Sequence, residues 1–260
     1  MDISIVLITW RMKNLLEVLL SSLIKYSEGF TYEIILIDNN SQDGTVEMIK
    51  EKYPQIILIE NEENKGVAKA RNQGLALAKG RYRLILDADM ELTENTIKHL
   101  FDYMEKDNTC GLIGARLTEP DGTMQFSCKR FPTLLSFVAR RLESISAVRN
   151  SNLLRHHQME DWDHNSIREV DYLIGACQFF RREVMEKIGV YDDQIFYGPE
   201  DIDYCLRVWR AGWKVVYYPF TSIIHHEQRM TKKSFFSKIT VKHFIGIFHI
   251  FKKYNWKLTR

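Results

Sequence analysis

The chain has few cysteines, and Cys110, Cys128, Cys177 and Cys205 lie far apart with no metal-type spacing. This pattern excludes a cysteine-built metal motif and fits reduced thiols buried in a core. No apolar run approaches the roughly 20 residues of a membrane-spanning helix. The N-terminus enters a strand pattern at Ile3–Ile8 with no basic leader or cleavage signal, so a soluble cytoplasmic protein without a signal peptide is expected. Internal repeats and low-complexity tracts are absent. The apolar content of 45%, with 12% aromatic residues, excludes a disordered chain. A length of 260 residues allows one large domain, or one domain with a small appendage.

Acidic residues are also missing from one end. From Gln228 to Arg260 there are nine Lys/Arg and no Asp/Glu, which leaves residues 1–227 at −7 against +2 for the whole chain. The strongly basic part is short and the body is acidic, so nucleic acid is not an expected partner.

What is present is organised around Arg83-Leu-Ile-Leu-Asp-Ala-Asp-Met90. An apolar run without alternation suits a strand buried on both faces of a parallel sheet. Asp87 and Asp89 would then sit beyond its carboxyl end, where ligands of open α/β sheets collect. Two hard oxygen ligands there can hold Mg²⁺ or Mn²⁺ together with substrate phosphates; the competing reading is a solvated turn. Upstream, Ile3–Thr9, Glu33–Asp38 and Gln55–Glu60 read as strands. They alternate with helices through Leu15–Leu23, Thr45–Lys52 and Lys65–Lys79, the last with Val67, Ala70, Gly74 and Ala78 on one face. The fold class expected is therefore α/β, a mostly parallel sheet with helices on both faces.

Downstream, a helix over Thr93–Lys106 with Thr93 as cap, a strand over Cys110–Arg116 and a turn at Pro120-Asp-Gly122 are expected. Phe131 to Asp163 reads as a variable insertion that opens with a basic amphipathic piece (Leu134, Leu135, Val138, Leu142, Ile145, with Arg140 and Arg141). Regular structure returns over Val170–Ala176, with helices over Arg181–Ile188 and Tyr197–Ala211. A late strand, Trp213–Tyr218, is stopped by Pro219, and His225 and His226 follow in a loop.

Acids at strand ends and helix starts crowd one edge: Asp38, Asp87 with Asp89, and Glu200 with Asp201 and Asp203. Crowded carboxylates call for a cation or a ligand's donors. Asp38 reads as a helix cap or as an acceptor for a base or ribose. Glu200 and Asp201 read as an ordinary acidic first turn or as a base kept ionised by the helix N-terminus. Arg71 reads as a phosphate partner or as a solvated charge. Adjacent histidines cannot easily face one ion, so at most one of His225 and His226 is expected to ligate.

Four stretches taken together resemble the family 2 glycosyltransferases of the GT-A (Rossmann-like) fold. They are Leu36-Ile-Asp-Asn-Asn-Ser-Gln-Asp-Gly-Thr45, Asn64-Lys-Gly-Val-Ala-Lys-Ala-Arg-Asn72, Leu86-Asp-Ala-Asp89, and Gly175-Ala-Cys-Gln-Phe-Phe-Arg-Arg182 running on to Gly198-Pro-Glu-Asp-Ile-Asp-Tyr-Cys205. The later part, through Ala211-Gly-Trp-Lys-Val and the paired histidines, is similar to the bacterial rhamnosyltransferase-type branch. The resemblance implies an inverting, metal-dependent transfer from a nucleotide-sugar donor (dTDP-rhamnose or a UDP-sugar) to a saccharide or lipid-linked saccharide hydroxyl in cell-surface polysaccharide synthesis. It places Thr9, Asp38, Asn40, Arg71, Asp87, Ala88 and Asp89 on the donor, and Gly175, Ala176 and Asp203 on the acceptor side. It gives a divalent cation to Asp89 and Asp87 with His226 or His225, and the general base to Asp201, with Glu200 as runner-up. Members of this branch often carry Asn-Pro-Asp at the metal motif; Asp-Ala-Asp here favours a true metal site and weakens dTDP-rhamnose as donor. The alternatives are a nucleotidyltransferase, against which Thr9-Trp-Arg-Met lacks a glycine-rich phosphate loop, and an inactive nucleotide- or sugar-binding module.

The organisation expected is a catalytic domain over residues 1–228, with a nucleotide-binding half (1–116) and an acceptor-binding half (117–228), and a basic amphipathic helical tail over 229–260. Val241, Phe244, Ile245, Phe248 and Phe251 recur at helical spacing among lysines. Such a helix can lie in an anionic membrane interface, here through residues 231–256 at the inner face of the cell membrane, or can pack its apolar face on the domain.

Overall fold

The computed structural model describes residues 1–228 and 238–260. The expected start of the tail at residue 229, and residues 231–237 of the segment expected to meet a membrane, lie outside the described residues. The first half alternates as the sequence predicts: β1 (Ile3–Thr9), α1 (Lys13–Tyr26), β2 (Tyr32–Asp38), α2 (Thr45–Lys52), β3 (Ile57–Glu60), α3 (Val67–Leu77) and β4 (Tyr82–Asp87). β1 lies between β2 and β4, parallel to both, and β3 pairs parallel with β2. Side chains alternate across this sheet. Ile3, Ile5 and Leu7 join Leu16, Leu19, Leu20 and Leu23 of α1 in one core, while Val6, Ile35 and Ile37 join Ala68, Ala70 and Leu75 of α3 in another. Gly74 permits the second contact, since a Cβ there would lie 2.4 Å from Val6 Cγ1.

The second half departs more from expectation. It runs through β5 (Met90–Leu92), α4 (Thr96–Lys106), β6 (Cys110–Thr118), β7 (Met124–Gln125), β8 (Cys128–Lys129), α5 (Leu134–Arg141), α6 (Ser146–Arg149) and α7 (Asn152–His157). There follow β9 (Arg168–Glu169), β10 (Tyr172–Leu173), β11 (Cys177–Arg181), α8 (Arg182–Ile188), α9 (Glu200–Arg210), β12 (Lys214–His225) and α10 (Lys238–Lys253). The main sheet has the order β3-β2-β1-β4-β11-β6-β12-β5. β11 is antiparallel to both β4 and β6, so a strand that the sequence pattern passes over sits centrally in a mostly parallel sheet.

Three local expectations are corrected. α4 is capped by Asn95, whose side chain accepts from Lys98 N–H, and not by Thr93. Of Val170–Ala176 only Tyr172–Leu173 forms a strand, pairing with β8 in a separate two-stranded sheet. Pro219 does not stop the late strand: β12 continues to His225, absorbing the proline in a register shift between Tyr218 and Ser222. His225 is therefore the end of a strand and not a loop residue. All four cysteines are free and buried.

Candidate active site

The parallel register sets the carboxyl ends of three strands side by side. Thr9 is opposite Asp38, and Ile8 is opposite Asp87. Thr9 and Asp38 are buried, at 1% and 3% exposure. One Asp38 oxygen accepts from Ser41 N–H at 3.1 Å, but its Oδ1 and the Thr9 hydroxyl have no partner. Buried polar atoms are ordinarily satisfied, so this pair marks a place for a polar ligand's donors and acceptors. Asn40, in the loop that follows, has a φ of +65°. That loop is held by residues the sequence reading did not single out. Asn39 Oδ1 accepts from Asn61 Nδ2 and Lys65 N–H, and Asn39 Nδ2 donates to Asn64 Oδ1 at 3.0 Å. Asn39 and Asn64 fall within the Leu36–Thr45 and Asn64–Asn72 stretches, but nothing in the sequence showed that they bind each other.

Arg71 on α3 is not a solvated charge. It is 1% exposed and uses its fork on both halves of the chain. Nη1 donates to Glu200 Oε1 at 2.8 Å; Nη2 donates to Asp87 Oδ1 and to the Gly175 carbonyl, each at 2.9 Å. Burial opposes its charge, but Asp87 and Glu200 more than offset this and hold the guanidinium firmly protonated. Gly175 makes the packing possible: a Cβ there would lie 2.6 Å from Arg71 Nη1. The Asp87 carboxylate remains 38% exposed beside it. Burial, and then the proximity of Asp89, push its carboxyl above the usual range despite Arg71.

Glu200 and Asp201 open α9, and they diverge. Glu200 is 5% exposed and committed to Arg71 through Oε1, while its Oε2 is buried without a partner. Asp201 is half-buried and is oriented by two main-chain donors, Gly175 N–H at 3.1 Å and Ile202 N–H at 2.8 Å. Burial raises both carboxyls above their ordinary range. The Ala176 carbonyl accepts from Asp87 N–H at 3.1 Å, so Gly175-Ala176 ties the Asp201 side of the cleft to the end of β4. Asp203 does not join this group. It is fully buried and bound to Arg207, Tyr254 and Lys253, fastening α9 to the C-terminal segment.

The end of β12 pairs antiparallel with β5, placing His225 opposite Met90. His225 Nε2 thereby lies 3.5 Å from Asp89 Oδ1, and its Nδ1 is 2.8 Å from Gln125 Oε1. His226 points elsewhere, with Nε2 2.9 Å from Glu91 Oε2. Ala88, between the two aspartates, is buried at 1% exposure. Among the described residues no three His, Cys, Asp or Glu side chains close into a full cage. Asp89 lies beside His225, and Asp87 precedes Asp89 by two residues at the end of β4, so carboxylate oxygens predominate at this end of the sheet. That suits Mg²⁺ or Mn²⁺, which complete their coordination with phosphate and water.

A profile of the family described as Glycosyl transferase family 2 matches residues 4–189. The chain belongs to this family. It lies on the rhamnosyltransferase-like branch of these glycosyltransferases: the N-acetylglucosaminyl-diphospho-decaprenol L-rhamnosyltransferase of Mycobacterium tuberculosis is 26% identical over 223 residues, covering 81% of this chain and 71% of that protein. Among solved structures, the mannosyltransferase PcManGT from Pyrobaculum calidifontis, in complex with GDP-Man and Mn²⁺, aligns with a TM-score of 0.62 at 20% identity. GalNAc-T7 with UDP, GalNAc and Mn²⁺ aligns with a TM-score of 0.64 at 21% identity. The alignments cover 88% and 86% of this chain but only 58% and 43% of those two. S. aureus TarS aligns at 0.60 over 37% of its length. These likenesses establish the GT-A fold of this family 2 glycosyltransferase.

Proposed function

We propose that this glycosyltransferase transfers a sugar, with inversion, from a nucleoside-diphosphate donor to a hydroxyl of a saccharide or lipid-linked saccharide in cell-surface polysaccharide synthesis. dTDP-rhamnose and UDP-sugars are the donors in view. The observation that carries the reading is that the orphaned Thr9–Asp38 pair and Asp87 end adjacent parallel strands, with the Asp89–His225 contact following β4 and Asp201 oriented by the Gly175 amide. The relative's lipid-diphosphate acceptor and the Mn²⁺ and nucleotide-sugar in the solved relatives support it. Residues 1–116 then bind the nucleotide and 117–228 the acceptor.

In this reading the Thr9 hydroxyl and Asp38 Oδ1 take the base or ribose. Asp89, Asp87 and His225 would hold the Mg²⁺ or Mn²⁺, whose chemistry when bound is Lewis-acid neutralisation of the leaving diphosphate. Arg71 is a positioning residue that fixes Asp87 and Glu200. Asp201 is the general base. Its half-buried carboxylate takes no hydrogen bond from Arg71, is aimed by the Gly175 and Ile202 amides, and has a proton affinity that burial raises, which suits taking the acceptor's hydroxyl proton. Attack opposite the leaving group inverts the anomeric centre. Gly175 and Ala176 frame the acceptor side. The protein works at the cytoplasmic face of a membrane, with residues 231–256 contributing the surface contact.

Asp201→Asn tests the assignment. Transfer should fall by about 10²–10⁴-fold with donor affinity and melting temperature retained; unchanged transfer would remove Asp201 from the reaction. Release of a nucleoside diphosphate, and not pyrophosphate, is the product expected.

A further inference from the structure

The apolar stripe read from the sequence of the C-terminal helix is not the surface that holds this helix on the domain. α10 packs inward through Ile247, Ile250 and Phe251, none more than 9% exposed. It is pinned to Asp192 by His249 at 3.0 Å and Lys253 at 2.7 Å. Of the stripe, only Phe251 is buried. Val241, Phe244, Ile245 and Phe248 remain outside, Ile245 and Phe248 at 59% and 58% exposure. A surface helix ordinarily turns a polar face outward.

A second helix continues this outer surface. α5 meets α10 where the Phe137 and Phe251 rings lie 5.7 Å apart and the Arg141 guanidinium sits 4.9 Å over the Phe244 ring. On its other side α5 turns Leu135 and Val138 outward, at 64% and 51% exposure. Ten of the seventeen large apolar side chains exposed among the described residues fall within 134–145 or 241–256. Seven of the ten lie on α5 and α10 themselves; scattered exposure is normal, but concentration on two touching helices and the residues that follow them marks an interaction surface.

We propose that α5 and α10 together form one docking face for an anionic lipid bilayer. The outward apolar side chains enter the interface and the surrounding cations meet the headgroups. Charge selects this occupant. Residues 228–260 carry nine Lys/Arg without an acid, and residues 131–157 carry four arginines against one glutamate. Lys252 and Lys257 are exposed in the same segment, as is Lys242, whose ammonium sits over the Phe196 ring. A second copy of the chain would set basic against basic. The inference rests on the lipid-linked reading of the acceptor and adds α5 to the contact and an orientation for the cleft. His243 Nδ1 of α10 lies 3.1 Å from the carbonyls of both Tyr197 and Gly198, the residues that lead into Glu200 and Asp201. The catalytic loop therefore borders the face from which a membrane-bound acceptor would arrive.

The test is co-sedimentation of the full chain with vesicles of phosphatidylcholine, alone or mixed with phosphatidylglycerol, without donor or acceptor. Binding is read apart from transfer, so failure of the transferase reading leaves this result standing, and the reverse. The proposal expects binding to the anionic vesicles only and its loss at high salt. Leu135→Glu on α5 and Ile245→Glu on α10 should each weaken it about tenfold or more, at unchanged melting temperature. Absence of binding would overturn it. Loss with Ile245→Glu but not Leu135→Glu would reduce the face to the tail alone and overturn the two-helix form. A dimer in solution that both substitutions dissociate would assign the face to a second copy instead.

Discussion

Arg71 Nη1 and Glu200 Oε1 meet at 2.8 Å across 129 positions of sequence, with side chains only 2% and 6% exposed. This contact joins the helix before β4 to the first turn of α9, and so couples the nucleotide half of the cleft to the half that carries Asp201. A buried pair contributes little against an apolar replacement of both partners, but removing one leaves a charge stranded.

Arg71→Met should therefore destabilise the fold by about 3–5 kcal/mol, since it strands the buried Glu200 and leaves the partly exposed Asp87 without its partner. Arg71→Lys should recover only a small part of this, because one ammonium cannot reproduce a fork that reaches two carboxylates and a carbonyl. Urea unfolding of these two variants, of Glu200→Gln and of Arg71→Met/Glu200→Gln checks this; the double variant should lose less than the sum of Arg71→Met and Glu200→Gln.

The pH dependence of transfer should betray Asp201. Burial, the largest influence on it, raises its carboxyl above the ordinary aspartate value of 3.8. A base works only when ionised, so activity should decline on the acid side at a higher pH than an exposed aspartate, near about 3.9, would give. The profile of kcat/KM against pH for the native chain, which reports groups of the free enzyme, measures this. An acid limb at or below the ordinary value would speak against Asp201.

Docking of α10 has its own acid signature. Although burial raises it, Asp192 is held down to about 2 by hydrogen bonds from Lys253 and His249. A depressed carboxyl stabilises the fold at every pH above its unfolded value, near about 3.9. That stability, about 2 kcal/mol, is lost as pH falls from about 4 through about 2. Asp192→Asn should lower stability by a similar amount at pH 5 and by little at pH 2. Denaturant unfolding at the two pH values decides it.

Much of this was legible in the chain. β1, β2 and β4 are apolar runs closed by a polar or acidic residue, and in a parallel sheet in aligned register that pattern alone brings Thr9, Asp38 and Asp87 to one edge. The central antiparallel β11 was not legible. Cys177-Gln-Phe-Phe-Arg181 is a short segment directly followed by a helix, and its place between β4 and β6 is decided by tertiary pairing. Pro219 misled for a similar reason, because a register shift lets a strand carry a proline. The facing of α10 could not be read from periodicity, since apolar residues occupy both its inner and outer sides. The role of Arg71 needed distance in space: nothing local in α3 announces carboxylates 16 and 129 positions away.

Calorimetric titration of the native chain with UDP, dTDP and GDP, each with and without Mn²⁺, tests the central claim most directly. One nucleoside diphosphate should bind saturably and more tightly with the metal. Asp38→Ala should abolish binding, and Asp89→Ala should abolish the metal's contribution while leaving the melting temperature unchanged. Binding that neither substitution alters, or no binding of any of the three at millimolar concentration, would contradict a donor site at the ends of β1, β2 and β4.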